Sequence, residues 1–131
     1  MFVDTSAIVA ILLDESEARV LSAKAEAARS CLTSSAVRLE TCMALASRRD
    51  VSPLRAQDFF DRLASQMGLT EIPVDESIGR LAVECFETFG KGRHPAQLNF
   101  GDCLSYACAK AHGLTLLFKG EDFAKTDVNA R

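Results

Sequence analysis

Apolar and polar positions along the chain follow two patterns: short apolar runs, and longer stretches with helical spacing. Met1 to Asp4 reads as a short buried strand. Ile8, Ile11 and Leu12 then share one face of a helix that Thr5 or Ser6 can cap. Further short runs predict strands at 31–33 ("CLT"), 69–74 ("LTEIPV") and 114–118 ("LTLLF"). Helical spacing predicts helices over about 16–28, over 36–49, from Pro53 onward, over 75–90 and over 99–112.

This alternation of strands with helices determines the expected fold class. Parallel strands need crossover connections, so the pattern predicts an α/β fold with a central parallel sheet and helices on both faces. The continuous run 114–118 is typical of a central strand that is covered on both faces. The tail 126–131 ("TDVNAR") suggests a short edge strand. With 131 residues we expect one domain, 1–131.

Charge and cysteine content narrow the function classes. The net charge is −3 and the pI about 5.4, so no broad electrostatic attraction for nucleic acid is expected and any phosphate must be held locally. The N-terminus has no basic residue before Arg19 and no apolar run approaches the roughly 20 residues of a membrane span, so we expect a cytoplasmic protein. Five cysteines without CxxC spacing are expected to be reduced core thiols.

Two acidic residues stand out in the first third of the chain. Asp4 ends the first strand, at the edge where open α/β sheets bind ligands, although it can equally cap the following helix. Glu40 has only apolar helical neighbours at the third and fourth positions on either side. We do not expect an acid within such a stripe to serve only as a solvated charge; the alternative is an ion pair with Arg38 or Arg48.

Two further acids lie in the last third. Asp102 comes three residues after Asn99, where it can also act as a first-turn acid favoured by the helix dipole. Asp122 follows the apolar run 114–118, where a simple turn aspartate is the alternative. Glu121 can take its place, because spacing does not separate these two neighbours.

Together the four acids predict a metal site. Strand carboxyl ends and the starts of the following helices meet at one sheet edge, where clustered carboxylates repel one another unless a cation neutralises them. Oxygen ligands without a nearby histidine pair suit Mg²⁺ or Mn²⁺ better than Zn²⁺. Such a cation activates water and stabilises phosphorane oxygens. The residues therefore favour metal-assisted phosphodiester cleavage.

Three stretches carry a resemblance to a known family. They are "FVDTSAIVAIL", Ser34-Ser35 with Glu40, and "LNFGDCLSYACAKAHGLTLLFKGEDFAKTD". In this order they cover nearly the whole chain, which resembles the PIN-domain ribonuclease toxins of the VapC type from bacterial type II toxin–antitoxin pairs. The resemblance implies a three-layer PIN-like fold and a Mg²⁺- or Mn²⁺-dependent endoribonuclease.

The resemblance also implies roles for residues and partners. The acidic quartet of the family corresponds to Asp4, Glu40, Asp102 and Asp122, as both metal ligands and catalytic residues, with Thr5 or Ser6 steadying the metal shell. It further implies a homodimer, an RNA substrate and a cognate VapB-type antitoxin whose C-terminal segment blocks the acidic pocket. Candidate RNA-binding cations, for which plain solubilising charge is the alternative, are Arg48, Arg49, Lys91, Arg93 and Lys119.

Two other function classes fit parts of the pattern. A receiver-like phospho-acceptor domain would use Asp4 with Lys119 near a strand end, but the chain has no second acid beside Asp4. A non-catalytic PIN module that binds metal or RNA would keep the acids without hydrolysing RNA.

Overall fold

Four parallel strands and six helices follow one another in residues 1–129, which the computed structural model describes. The strands are β1 (Phe2–Val3), β2 (Cys31–Ser34), β3 (Leu69–Ile72) and β4 (Leu116–Leu117). The helices are α1 (Thr5–Leu12), α2 (Ala18–Glu26), α3 (Ser35–Arg49), α4 (Pro53–Met67), α5 (Glu76–Phe89) and α6 (Phe100–Ala111). A 3₁₀ turn, Phe123–Lys125, follows β4. The α/β class with a parallel sheet is confirmed.

The sheet has the strand order β3-β2-β1-β4. Phe2 of β1 pairs with Leu32 on one side and with Leu116 on the other. The first three strands thus follow one another from β1 to β3, and the chain then returns to place β4 on the other side of β1. Right-handed crossovers in these two directions place α1 to α4 on one face of the sheet and α5 and α6 on the other. Because the direction of the strand order reverses at β1, the topological switch point lies between β1 and β4. Open α/β sheets bind ligands at such a point, beyond the carboxyl ends of the strands.

The core fills the space between the sheet and the helices. Phe2 and Val3 are fully buried in β1, and Phe60, Ile8 and Leu98 are the largest other side chains that are fully buried. All five cysteines are buried with free thiols, in agreement with their predicted core positions. Within residues 1–129, no helix combines the length and the apolar character needed to cross a membrane.

Polar side chains begin most helices at or near the predicted positions. Ser34, Ser52, Asp75 and Asn99 cap α3, α4, α5 and α6. The expected cap of α1 by Thr5 or Ser6 is wrong: Asp4 itself is the cap and accepts a hydrogen bond from the Ser6 amide. The Asp4 carboxylate lies directly before the first helical residue, so it can accept from a free amide of the first turn. The hydroxyl groups of Thr5 and Ser6 belong to that turn and do not take the cap position.

Two expectations about the last part of the chain are also wrong. The run 114–118 forms an edge strand of two residues and not a central one, because β2 occupies the other side of β1, although both strand residues are buried, in agreement with the predicted cover on both faces. Residues 126–129 form bends and turns instead of a strand. The Asn129 side-chain amide accepts from the Leu116 amide (2.8 Å) and donates to the Leu116 carbonyl (3.0 Å), replacing a neighbouring strand. The rest of that predicted strand, 130–131, lies outside the described residues.

Candidate active site

Four carboxylates from four separate segments approach one another at the switch point. Asp4 follows β1, Glu40 lies on α3, Asp102 lies in the first turn of α6, and Asp122 follows β4. Burial, together with the negative charges of Asp4, Glu40 and Asp122, raises the pKa of Asp102 to about 6 against the lowering effect of the backbone hydrogen bond from Asn99. The other three predicted acids therefore lie within electrostatic range of Asp102.

Asp4 is the most firmly held of the four. It is buried, and its Oδ2 accepts from the Ser6 amide (2.9 Å) and the Ser6 hydroxyl (2.6 Å). The Ser6 hydroxyl in turn accepts from the backbone amide of Lys119 (3.0 Å), just after β4. The Asp4 amide donates to the Leu117 carbonyl (3.0 Å). Asp4 thus keeps one orientation through contacts with both its own helix and the last strand.

Glu40 extends from α3 toward α6. Its Oε2 accepts from the Thr5 hydroxyl (2.8 Å), and its carboxylate lies against Gly101. Burial raises its pKa, and the charge of Asp4 adds to the increase against the lowering effect of the Thr5 hydrogen bond. The alternative ion pair is not formed, because Arg38 pairs with Asp61 and Glu71 and Arg48 pairs with Glu15.

Asp102 lies in the first turn of α6, as its helix-dipole alternative predicted, and also within range of the other predicted acids. Its Oδ2 accepts from the Asn99 amide (2.8 Å), while Asn99 Oδ1 accepts from the Asp102 amide (3.0 Å), so the two residues form a reciprocal capping box. Asn99 was not among the predicted site residues, although its spacing from Asp102 carries this signal. The cap fixes Asp102 in the cluster and leaves its second oxygen available.

The fourth predicted acid has two neighbouring candidates, Asp122 and Glu121. Asp122 contributes to the electrostatic environment of Asp102, whereas both Asp122 and Glu121 have exposed side chains. Asp122 begins the 3₁₀ turn without a side-chain capping bond. The charge of Asp122 acts on Asp102, so Asp122 stays the predicted fourth acid.

The donor set fits a hard divalent cation. It consists of carboxylate oxygens with two hydroxyl groups beside them. Among the residues described, no hydrogen bond involves Asp4 Oδ1, Glu40 Oε1 or Asp102 Oδ1. Within residues 1–129, no three acidic, histidine or cysteine side chains are already close enough to enclose a metal ion.

The predicted RNA-binding cations have different surroundings. Lys119 pairs with Glu15 (2.5 Å) and Glu17 (3.3 Å), and Arg48 pairs with the same Glu15 (2.7 Å). Arg93 pairs with Glu87 and lies over the Phe86 ring. Arg49 and Lys91 are exposed and form no ion pair within the described part of the chain. These last two have charges that are not already neutralised by a neighbour.

The sheet order distinguishes between the fold alternatives. A receiver-like domain has the flavodoxin-like order 2-1-3-4-5, with the third strand next to the first. Here β3 lies at the edge beside β2, and β4 takes the place next to β1. The Lys119 ammonium pairs with glutamates of the α1–α2 segment. The receiver-like alternative therefore does not match this topology.

Comparisons with known proteins agree with the geometry. Residues 1–129 match the family model described as PIN domain. The chain is 44% identical over 131 residues to "Ribonuclease VapC" of Mycolicibacterium smegmatis, covering 99% of this chain and 98% of the relative. It is 42% identical over 128 residues to "Ribonuclease VapC30" of Mycobacterium tuberculosis, covering 98% and 95%.

A solved structure supports the same fold. The crystal structure of Mycobacterium tuberculosis VapC20, described as a Sarcin-Ricin loop cleaving toxin, superposes with a TM-score of 0.73. The superposition covers 94% of this chain and 92% of that one at 21% identity. The chain therefore belongs to the PIN-domain family and, within it, groups with proteins of the VapC type.

Proposed function

We propose that this protein is a Mg²⁺- or Mn²⁺-dependent endoribonuclease that acts as the toxin of a type II toxin–antitoxin pair, with residues 1–131 forming one PIN-like domain. The observation that carries the proposal is the convergence of Asp4, Glu40, Asp102 and Asp122 at the switch point. The naming of the VapC relatives as ribonucleases supports the same activity.

The proposed metal ligands are the four carboxylates. Mutual repulsion raises the pKa of Glu40 and Asp102 beyond the effect of burial, and a divalent cation would relieve that repulsion. When bound, such a cation lowers the pKa of a coordinated water and stabilises the charge that develops on the phosphate oxygens. Mg²⁺ and Mn²⁺ are the cations whose ligand preferences match this oxygen set.

The surrounding residues of the chain orient these carboxylates. Ser6 holds Oδ2 of Asp4, Thr5 holds Oε2 of Glu40, and the Asn99 amide holds Oδ2 of Asp102. Each hydrogen bond occupies one oxygen of the carboxylate and fixes the direction in which the other oxygen points. Hydrogen bonds of this kind to metal-binding side chains set their orientation and basicity. The chain thus supplies a preoriented set of oxygens to a cation and a phosphodiester.

The proposed partners follow from charge. A chain with net charge −3 attracts RNA only locally. We assign that role first to Arg49 and Lys91, whose charges form no ion pair within residues 1–129, and then to Arg48, Arg93 and Lys119. The acidic pocket favours a basic C-terminal segment of a VapB-type antitoxin. A homodimer located in the cytoplasm completes the proposal.

The decisive experiment is end-mapping of total cellular RNA incubated with purified protein, with Mn²⁺, with EDTA and with an Asp102→Asn variant. Discrete cuts that require both the metal and Asp102 are expected. Asp4→Asn should abolish the same cuts while the protein stays folded. If both variants retain activity, the metal-assisted mechanism is wrong.

A non-catalytic PIN module is the competing proposal. It predicts saturable Mn²⁺ or RNA binding by folded, antitoxin-free protein together with an unchanged RNA pool. Calorimetric titration of Mn²⁺ into the sample used for end-mapping separates the two proposals.

A further inference from the structure

Gly101 occupies the second position of α6, where its backbone does not require glycine. The glycines with positive φ are Gly68, Gly92, Gly113 and Gly120, and Gly101 has an ordinary helical conformation. Glycine is a poorer helix former than alanine, by up to about 1 kcal/mol in a helix interior. A reason other than backbone freedom must therefore account for glycine at this buried position.

The reason is the space beside its Cα atom. A Cβ atom at position 101 would meet Oε1, Cδ and Oε2 of Glu40, all well inside van der Waals contact. The three nearest atoms all belong to the Glu40 carboxylate. This carboxylate thus fills the volume that any side chain at position 101 would take.

Glu40 is held on its other side as well. The Thr5 hydroxyl donates to Oε2 (2.8 Å), while Oε1 has no hydrogen-bond partner in the part of the chain that the structure describes. The N-terminal turn of α6 offers a favourable dipole to a carboxylate. Thr5 and the gap at Gly101 together define one place for the Glu40 side chain, next to Asp4 and Asp102.

We propose that Gly101 is a positioning residue of the acidic cluster, because its missing side chain forms the space in which the Glu40 carboxylate lies. A methyl group at this position displaces the carboxylate toward solvent or toward Asp4. The consequence for metal binding rests on the proposed function, whereas the packing between residues 101 and 40 does not depend on it.

A thermal-stability cycle tests the packing without metal or RNA. It compares Gly101→Ala in the wild-type chain and in a Glu40→Ala background. We expect Gly101→Ala to lower Tm in the wild-type chain and to raise Tm by a few degrees once the carboxylate is absent, since alanine then adds only helix propensity. Equal changes in the two backgrounds would overturn the proposal.

Gly79→Ala is the matched control. Gly79 lies within α5, and an added Cβ there has no atom within 4 Å. This substitution should raise Tm by a similar amount in both backgrounds. If Gly101→Ala alone does not fold, recovery of a folded chain in the double variant with Glu40→Ala supports the proposal, and failure to recover it refutes the proposal.

Mn²⁺ titration by calorimetry then tests the consequence for the site. We expect Gly101→Ala to weaken Mn²⁺ binding at least tenfold and Gly79→Ala to leave it unchanged. Glu40→Asp shortens the side chain by one methylene, so it should weaken binding in the wild-type chain and strengthen it in the Gly101→Ala chain. Wild-type affinity in Gly101→Ala contradicts the positioning role. Absence of Mn²⁺ binding by the wild-type protein would instead refute the proposed metal, and the thermal cycle still decides the role of Gly101.

Discussion

Replacing Asp102 by asparagine should stabilise the protein while removing its proposed activity. The substitution keeps the shape of the side chain and an oxygen that can accept from the Asn99 amide. It removes a charge that the folded state disfavours, since burial and three neighbouring carboxylates raise the pKa of Asp102 from 3.8 to about 6. Stability and proposed function thus oppose each other at one residue.

The size of the effect follows from that pKa. A group with a raised pKa in the folded state stabilises the fold most at low pH, and this contribution is lost as pH rises from about 4 to about 6. The full difference between the unfolded and the folded pKa of Asp102 corresponds to about 3 kcal/mol in the free energy of unfolding. Partial exposure of the site reduces the expected gain for Asp102→Asn at pH 8 to about 1–2 kcal/mol, or roughly 3–10 °C in Tm.

Calorimetric unfolding of the metal-free protein at pH 8 and pH 4 measures this gain. The advantage of Asp102→Asn should be present at pH 8 and absent at pH 4, where the wild-type carboxyl is protonated. Asp75→Asn is the matched control at another helix cap, where hydrogen bonds from the Ile78 amide and the Ser77 hydroxyl lower the pKa. It should therefore lose stability at pH 8.

Two results would refute this reasoning. The first is a folded Asp102→Asn variant that is no more stable than the wild type at pH 8. The second is a gain that persists unchanged at pH 4. Saturating Mn²⁺ should reverse the order of stabilities, because a ligand stabilises the state that binds it and Asp102→Asn removes a proposed ligand.

Three other measurements address the site and the sheet edge. Thr5→Val removes the hydroxyl that donates to Glu40, so Mn²⁺ affinity should fall about 10–100-fold with the fold intact; unchanged affinity in a titration would contradict that role. Mn²⁺ binding should weaken below pH 6, by about tenfold at pH 5, as Asp102 is protonated, and a constant affinity from pH 5 to pH 8 would argue against Asp102 as a ligand. Asn129→Ala removes two hydrogen bonds to Leu116 and should cost about 1–2 kcal/mol in denaturant unfolding; an unchanged midpoint would show that the edge does not need them.

The sequence by itself determined most of the local structure. Helix starts at Ser34, Ser52, Asp75 and Asn99 depend on side chains that bond to amides two or three residues away, so the signal lies within one short segment. Apolar spacing gave the class of fold for a similar reason, since each period reports which face of one element is buried. The four acids were also visible, because they follow strands or lie in an apolar helix stripe or in the first turn of a helix.

Tertiary structure decided what depends on distant segments. The run 114–118 has the composition of a central strand, yet it lies at the edge because β2 already pairs with the other side of β1. The contact of Gly101 with Glu40 and the bond from the Lys119 amide to Ser6 join positions 61 and 113 residues apart. The spacing of apolar residues does not indicate such pairs, because the two residues of a pair contact each other only after the crossover helices bring their segments together. The sequence therefore specified which residues carry the charge, and the packing of α3 against α6 specified how those charges are held.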